Sequence, residues 1–206
     1  VAALEGDAKQ LARGEEELIG WISKASGIAT AAAKAKKAAG KDLKVVCGAW
    51  KKMPPPIKDL VRQAIADGGI EYRMSGRPFL YLDKNYIKIL GGVAKTLQAV
   101  NALQGRALVI QLKGEGQGLL REALVAARKG SDIIMIDTGE KEDIGRIDSA
   151  LRAKGLRSGV LIAFAGNIRI EDLNVLKKMP VEIVDIGQAV VDAPLLDMRM
   201  DITERV

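Results

Sequence analysis

Six short apolar runs recur along this chain, and between most of them hydrophobic residues repeat at helical spacing. The runs are KVVCG (Lys44 to Gly48), FLYLD (Phe79 to Asp83), ALVIQL (Ala107 to Leu112), DIIMID (Asp132 to Asp137), VLIAFAG (Val160 to Gly166) and EIVDIG (Glu182 to Gly187). The last three are spaced roughly every 25 residues, a βαβαβ rhythm. They are too short for buried helices, rich in Ile and Val, and stop at Asp or Gly, so they predict strands buried on both faces with loops at their carboxyl ends. The intervening patterns predict helices over 15–39, 57–66, 87–103, 117–129 and 141–154. Leu18, Trp21, Ile22, Ala25 and Ala29 share one face of the first, with Ser26-Gly27 as a break or a close-packing point. The triple proline Pro54 to Pro56 cannot continue a strand ladder and starts a loop. About six βα units with right-handed crossovers close, or nearly close, into an α/β barrel, with a doubly wound sheet as the competing arrangement.

Composition narrows the chemistry. A chain of 206 residues, 48% hydrophobic, can bury one sizeable core or a core plus an appendage. No apolar window long enough for a membrane span is present, so no membrane partner is expected. One cysteine, Cys47, gives neither a disulfide framework nor a thiolate metal cluster, and no signal peptide precedes the body, which together predict a cytoplasmic protein. The chain starts with Val rather than Met and is expected to be trimmed or processed. Histidine is absent, which removes Ser-His and Cys-His dyads and leaves Lys, Arg, Asp, Glu and backbone to carry any chemistry. A net charge of +6 invites nucleic acid, but with 3% aromatics and no recognition motif it fits a small phosphorylated ligand equally well. The Lys34 to Lys44 run reads as cations at a helix C-terminus rather than a polyanion patch, so nucleic acid is not the expected partner.

Ligand sites in parallel α/β folds lie at the carboxyl ends of the strands. That edge collects Trp50, Lys51 and Lys52, then Asp83 and Lys84, Lys113 to Gly118, Asp137 and Thr138, Gly166-Asn167 and Gly187-Gln188. The GEGQG run (Gly114 to Gly118) offers backbone N–H groups beside a helix start. The two later glycine turns are the stronger candidates for holding a phosphate, each leading into a helix or turn. Asp137 is a base, a ligand to a hydroxyl or a metal, or the N-terminal cap of the next helix.

At these residues the chain resembles the quinolinate phosphoribosyltransferases, also called nicotinate-nucleotide pyrophosphorylases, and their relatives associated with molybdate transport. Ser131 to Thr138, FAGNI (Phe164 to Ile168) and VDIGQAVVDAPLLDMRMDI (Val184 to Ile202) carry the likeness. Before them, in the same order, ASGIAT (Ala25 to Thr30) matches the family's L-S-G-I-A-T, and KKMPP (Lys51 to Pro55) its R-K-T-x-P. GGIEYR (Gly68 to Arg73) matches G-G-x-x-H-R, and LDKNYI (Leu82 to Ile87) matches I-K-D-N-H-I. The resemblance implies an open α/β barrel of six to seven parallel strands with a remnant of an N-terminal α/β sandwich. Residues 1–23 would be that remnant, 24–194 the barrel, and 195–206 a closing strand returning to the first domain.

The resemblance also implies a pentosyltransferase of NAD biosynthesis using phosphoribosyl pyrophosphate with Mg²⁺, assembled as a homodimer or larger homo-oligomer. Lys51, Arg73 and Asp137 would be the catalytic residues, Asp137 the Mg²⁺ ligand, and Gly166, Asn167, Gly187 and Gln188 the phosphate cradle. Several acid-binding positions depart from the family: Glu16 and Trp50 stand for Arg, Tyr72, Tyr86 and Val191 for His, Ala165 for Ser, Gln111 for a Glu, and Asp83-Lys84 in exchanged order. Lost cations weaken a charge-assisted clamp by about 1.5–3 kcal/mol each, so quinolinate turnover is expected to be absent. The expectation is thus a divergent phosphoribosyltransferase, or a non-catalytic relative of the same fold.

Overall fold

A computed structural model describes residues 2–204. It contains six parallel strands, β1 (Lys44–Val46), β2 (Phe79–Leu82), β3 (Ala107–Leu112), β4 (Ile133–Asp137), β5 (Leu161–Ala165) and β6 (Ile183–Asp185). They run in the order β1-β6-β5-β4-β3-β2. The first strand therefore lies beside the last, a cyclic order that a doubly wound sheet does not have, and the sheet curls into an open barrel. The opening lies between β1 and β2. Beyond β1 the chain adds only a bridge at Glu71, whose N–H donates to Val45 O at 3.1 Å and whose carbonyl accepts from Cys47 N at 2.8 Å.

Strand periodicity divides the core in two. Val45, Ile110, Leu112, Ile134, Ile136, Ile162, Phe164, Val184 and Ile186 face the helices, and all are buried. Val46, Val109, Ile133, Met135, Ala163, Ala165 and Ile183 face the barrel interior, with Phe79 and Tyr81 packed against them. A register slip of one residue would exchange the two sets, so packing fixes the register.

The helices depart from the sequence pattern in instructive ways. α1 (Ala8–Ala39) starts a full two turns earlier than expected, because Asp7 and Gln10 form a capping box. It does not break at Gly27; that glycine is a close-packing point, where a Cβ would lie 2.2 Å from Pro194 O. Its buried stripe is Ser23, Gly27, Ile28, Ala31, Ala32, Ala35 and Ala39, whereas Leu18 and Trp21 are exposed. α2 (Lys58–Asp67) follows the proline loop as expected. The expected helix over 87–103 is two, α3 (Lys84–Ile89) and α4 (Val93–Val100), divided at Gly91 and Gly92, whose φ values of +79° and +112° no right-handed helix accommodates. α5 (Leu119–Arg128) and α6 (Glu142–Ala153) match their patterns, with Ile144, Ile147 and Leu151 buried. α7 (Leu173–Leu176) and α8 (Gln188–Val191) are single turns.

Residues 195–204 form no strand in this chain; their recorded tie is Leu196 N donating to Ser23 O at 3.1 Å. Among the described residues no helix is long and apolar enough to cross a membrane. Cys47 is buried, and burial pushes its thiol up to about 12, so it is no thiolate at neutral pH.

Candidate functional site

Inward-pointing residues at the carboxyl ends of the strands form the floor of a cleft of about 1330 Å³. Period-two alternation turns Tyr81, Gln111, Asp137, Ala165 and Asp185 to the same interior face as Met135 and Ala163, with Gln111 level with Met135 and Asp137 level with Ala165. The residues expected to be catalytic or to cradle a phosphate all line this cleft: Lys51, Arg73, Asp137, Gly166, Asn167, Gly187 and Gln188, whereas Lys84 and Thr138 do not. Their convergence is a matter of geometry; it does not itself assign their roles.

Asp137 is the most heavily engaged side chain. Gln111 Nε2 donates to its Oδ2, Lys113 Nζ lies 3.0 Å from the same oxygen, and Lys113 also reaches the Asp137 carbonyl at 3.3 Å. It does not cap α6, whose first residue follows Lys141 with no side-chain cap. Thr138 has taken the loop-ordering part: its hydroxyl donates to Asp143 and accepts from Glu140 N–H. The Asp137 carboxylate is thereby left in the cleft rather than spent on the backbone.

Cations stand over this floor. Lys51 Nζ sits 4.6 Å from the Tyr81 ring centroid, and the Arg73 guanidinium 5.8 Å from that of Phe79. Among the described residues Lys51, Lys52 and Arg73 make no ion pair, so their charge is available to an anion. Trp50 and Tyr72 meet edge to face at 6.3 Å, with the Trp50 indole N–H donating to Tyr72 O at 2.9 Å and Arg62 stacked 4.9 Å from the indole. This wall of the cleft is aromatic and braced.

The glycine turns hold their shape for different reasons. Gly166 has φ +114°, and a Cβ there would come within 2.5 Å of Gly139 N. Asn167 is left-handed as well, at φ +49°. Gly187 has φ −96°, and a Cβ would only touch Ala49 Cβ at 3.6 Å. The helical assistance expected for these turns is small: α8 is one turn long, and a 3-10 turn over Ile170–Asp172 precedes α7, so neither develops an appreciable macrodipole. What remains is backbone N–H at the first turn of α8. Gly114 to Gly118 lies outside the cleft, and its cradle already holds an anion of the protein, the Glu122 carboxylate, which accepts from Gln117 N at 3.1 Å. Glu16 is exposed on α1, away from the cleft, as is Tyr86 on α3. Ala165 and Val191 do line it, without closing it.

Two floor residues, Tyr81 and Asp185, escape a reading confined to the loops. Both are the last inward residue of a strand, and counting alternate positions would have found them. Burial pushes the Tyr81 phenol above its usual range, with Asp185, Asp137 and Asp83 adding to it, so the hydroxyl keeps its proton. Burial likewise raises the Asp185 carboxyl, opposed by the Gly48 N–H that donates to Oδ1 at 2.8 Å and by the Lys51 charge, and reinforced by Asp137.

The cyclic order of parallel strands, with a cationic, partly aromatic cleft at their carboxyl edge, places the chain in the class of open α/β barrel proteins. The sequence profile of the family described as "Quinolinate phosphoribosyl transferase, C-terminal domain" matches residues 28–201, and the chain belongs to that family. It is 28% identical over 206 residues to a protein of Archaeoglobus fulgidus named a probable nicotinate-nucleotide pyrophosphorylase (carboxylating), covering 99% of this chain and 78% of that one. To the nicotinate-nucleotide pyrophosphorylase (carboxylating) of Homo sapiens it is 25% identical over 204 residues, 97% of this chain and 66% of the relative. The fold is that of the nicotinate-nucleotide pyrophosphorylase from Francisella tularensis, with a TM-score of 0.75 at 22% identity. That match covers 93% of this chain, which spans 65% of the solved one.

Proposed function

We propose that this protein binds a phosphoribosyl compound and acts as a pentosyltransferase on a less acidic base than quinolinate. The observation that carries the reading is the trio of unpaired cations, Lys51, Lys52 and Arg73, above an Asp137 held by Gln111 and Lys113. Lys51 and Arg73 take the phosphate or pyrophosphate as charge-assisted donors. Backbone N–H groups at Gly187-Gln188, facing the Gly166-Asn167 turn, take a phosphate without needing any side chain. Asp137 accepts from ribose hydroxyls or joins Mg²⁺. One carboxylate supplemented by substrate phosphates suits Mg²⁺, which when bound would neutralise charge on the departing pyrophosphate. Trp50, Tyr72 and Val191, in place of cationic or polar residues, leave an acid-bearing ring fewer partners, which is why quinolinate is not the acceptor in this reading.

Thermal denaturation with phosphoribosyl pyrophosphate, nicotinate mononucleotide and pyridine carboxylates tests the proposal. Phosphoribosyl pyrophosphate at a hundred times its Kd is expected to add about 2.7 kcal/mol of stability, with the effect reduced by salt and by Lys51→Ala. No shift at millimolar ligand would sink it and favour the non-catalytic reading. Incubating quinolinate with phosphoribosyl pyrophosphate is expected to give no nicotinate mononucleotide or CO₂ above a no-protein control; clear product formation would overturn the expected base preference.

We further propose a homodimer or larger homo-oligomer. The first half of α1 buries none of its residues before Ser23, and Leu18, Trp21, Leu195 and Leu196 are exposed near it, where Leu196 is tied to Ser23. Light scattering at micromolar concentration should report more than one copy; a stable monomer contradicts this.

A further inference from the structure

We propose that Asp185 selects the acceptor base: the ring that enters this cleft presents a hydrogen-bond donor, such as an amide or amino group, to the Asp185 carboxyl and bears no carboxylate there. This rests on the phosphoribosyl reading above and names the class of its second substrate. Asp185 ends β6, and the parallel register that pairs Ala163 with Ile183 and Phe164 with Val184 sets Ala165 beside Asp185 one step further along. The neighbouring register pairs Asp137 with Ala165. The two carboxyls therefore stand on either side of Ala165, their backbones two strand spacings, about 9.6 Å, apart. Between them the floor carries only a methyl group, so there is room for a ring edge.

The two acids are not equivalent. Asp137 has Lys113 at 3.0 Å as its counter-ion. Asp185 has no ion-pair partner among the described residues; it accepts a bond from Gly48 N at 2.8 Å through Oδ1. Gly48 is what lets the carboxyl lie so close to the backbone, since a Cβ there would be 2.9 Å from Asp185 Oδ2. Oδ2 accepts no hydrogen bond among the described residues, and Asp185 lines the cleft. Burial disfavours the charge on this group, so a donor from the ligand, added to Gly48 N–H, completes an otherwise underbonded carboxylate. A ring carboxylate in the same place would set two acceptor-only groups against each other; the Lys51 and Lys52 charges reach Asp185, but neither forms an ion pair with it, and in this reading they serve the phosphate. The surrounding Tyr81, Phe79 and Trp50 rings suit a planar aromatic ligand in either case, so Asp185 decides its substituent rather than its shape.

Calorimetry with nicotinamide, a neutral amide, and quinolinate, a dianion, on the full chain and on Asp185→Asn tests this. Asn keeps an oxygen for Gly48 N–H, removes the charge and adds a donor. Wild type should bind nicotinamide at least about tenfold more tightly than quinolinate, and Asp185→Asn should cut that ratio by about tenfold or more, the worth of one hydrogen bond to a charged group. Asp185→Ala, which removes both roles, should bring the ratio close to one and serves if the Asn variant folds poorly. An unchanged ratio in both variants overturns the inference. So does tighter quinolinate binding to wild type, or no measurable binding of either ring to it. Phosphoribosyl pyrophosphate binding, measured separately, keeps the two readings apart. If it binds and ring preference ignores Asp185, the selection by Asp185 fails alone; if it does not bind and the preference depends on Asp185, the phosphoribosyl reading fails alone.

Discussion

Gly166→Val is expected to destabilise the protein by about 3–5 kcal/mol, among the largest effects of any single change at the cleft. The left-handed φ of +114° strains any L side chain, by about 1–3 kcal/mol. Beyond that, the Cβ would meet Gly139 N at 2.5 Å and Gly139 Cα at 2.7 Å, backbone atoms that cannot rotate away. Gly139 N–H donates to Ala165 O at 3.1 Å, so pushing the turns apart also breaks the bond joining the β4 and β5 loops. Gly187→Ala is the matched control: its φ of −96° with ψ of −95° also lies outside the αR and β regions, but the Cβ would make only a 3.6 Å contact, so it should cost about 1–2 kcal/mol, the backbone part alone. Urea denaturation of both variants checks the pair; equal costs would show that the Gly139 contact is not what demands a glycine. Loss of ligand by a Gly166 variant would consequently report folding first, and Gly187→Ala is the better probe of phosphate binding.

Arg157→Ala is the second large effect, about 2–4 kcal/mol, at the opposite end of the barrel. The guanidinium is 13% exposed and joins four groups: its Nε donates to Asp148 at 2.7 Å and its Nη1 to Val160 O at 2.8 Å, while Nη2 reaches Pro180 O at 3.4 Å and the Glu182 carboxylate. Glu182 in turn accepts from Ile162 N at 2.8 Å, so this one side chain ties α6 to the starts of β5 and β6. Removing it strands Asp148 with Arg152 alone and leaves Val160 O unpaired, while Glu182 is exposed enough to find water. Arg157→Lys should restore only part of the loss, because a point charge cannot bond in several directions at once. Burial pushes the Asp148 carboxyl up, yet the bonds from Arg152 and Arg157 hold it below the ordinary carboxylate range. Its contribution is therefore present above the unfolded pKa, near 3.9, and lost as pH falls through the lowered folded value. Wild type should lose stability on acidification below about pH 4 more steeply than Arg157→Ala. A cost under about 1 kcal/mol in denaturant, or parallel acid profiles, would refute this hub role.

Strands and most helix positions were legible because a buried β-strand and an amphipathic helix impose periods that the residues themselves display. DIIMID and VLIAFAG could hardly be anything else, and the glycine-ended helices stopped where their glycines stand. The failures have local causes. A capping box at Asp7 and Gln10 extends α1 through residues with no apolar periodicity, and Gly91-Gly92 divides a helix whose hydrophobic pattern runs on. Leu18 and Trp21 lie on an apolar stripe, yet this chain offers them no surface, since the stripe that packs is the one of Ala31, Ala32 and Ala35. Amphipathicity says that a face is apolar; it does not say what covers it.

The sequence by itself determined the α/β class and carried Lys51 and Asp137 to the carboxyl edge of the strands, while Arg73 came from the family resemblance of GGIEYR. The first two follow from short-range pattern and from the fixed relation between strand direction and loop. Only the tertiary structure decided the cyclic strand order, with β1 beside β6, which separates a curled barrel from a doubly wound sheet of identical periodicity. It also decided that Asp137 is a cleft carboxylate rather than a helix cap, and that Asp185 shares the floor with it. Gln111 and Lys113 are 26 and 24 residues from Asp137 in the chain, and Gly48 is 137 from Asp185. Partnerships of that range are set by which strands lie side by side, and local patterning carries no record of it.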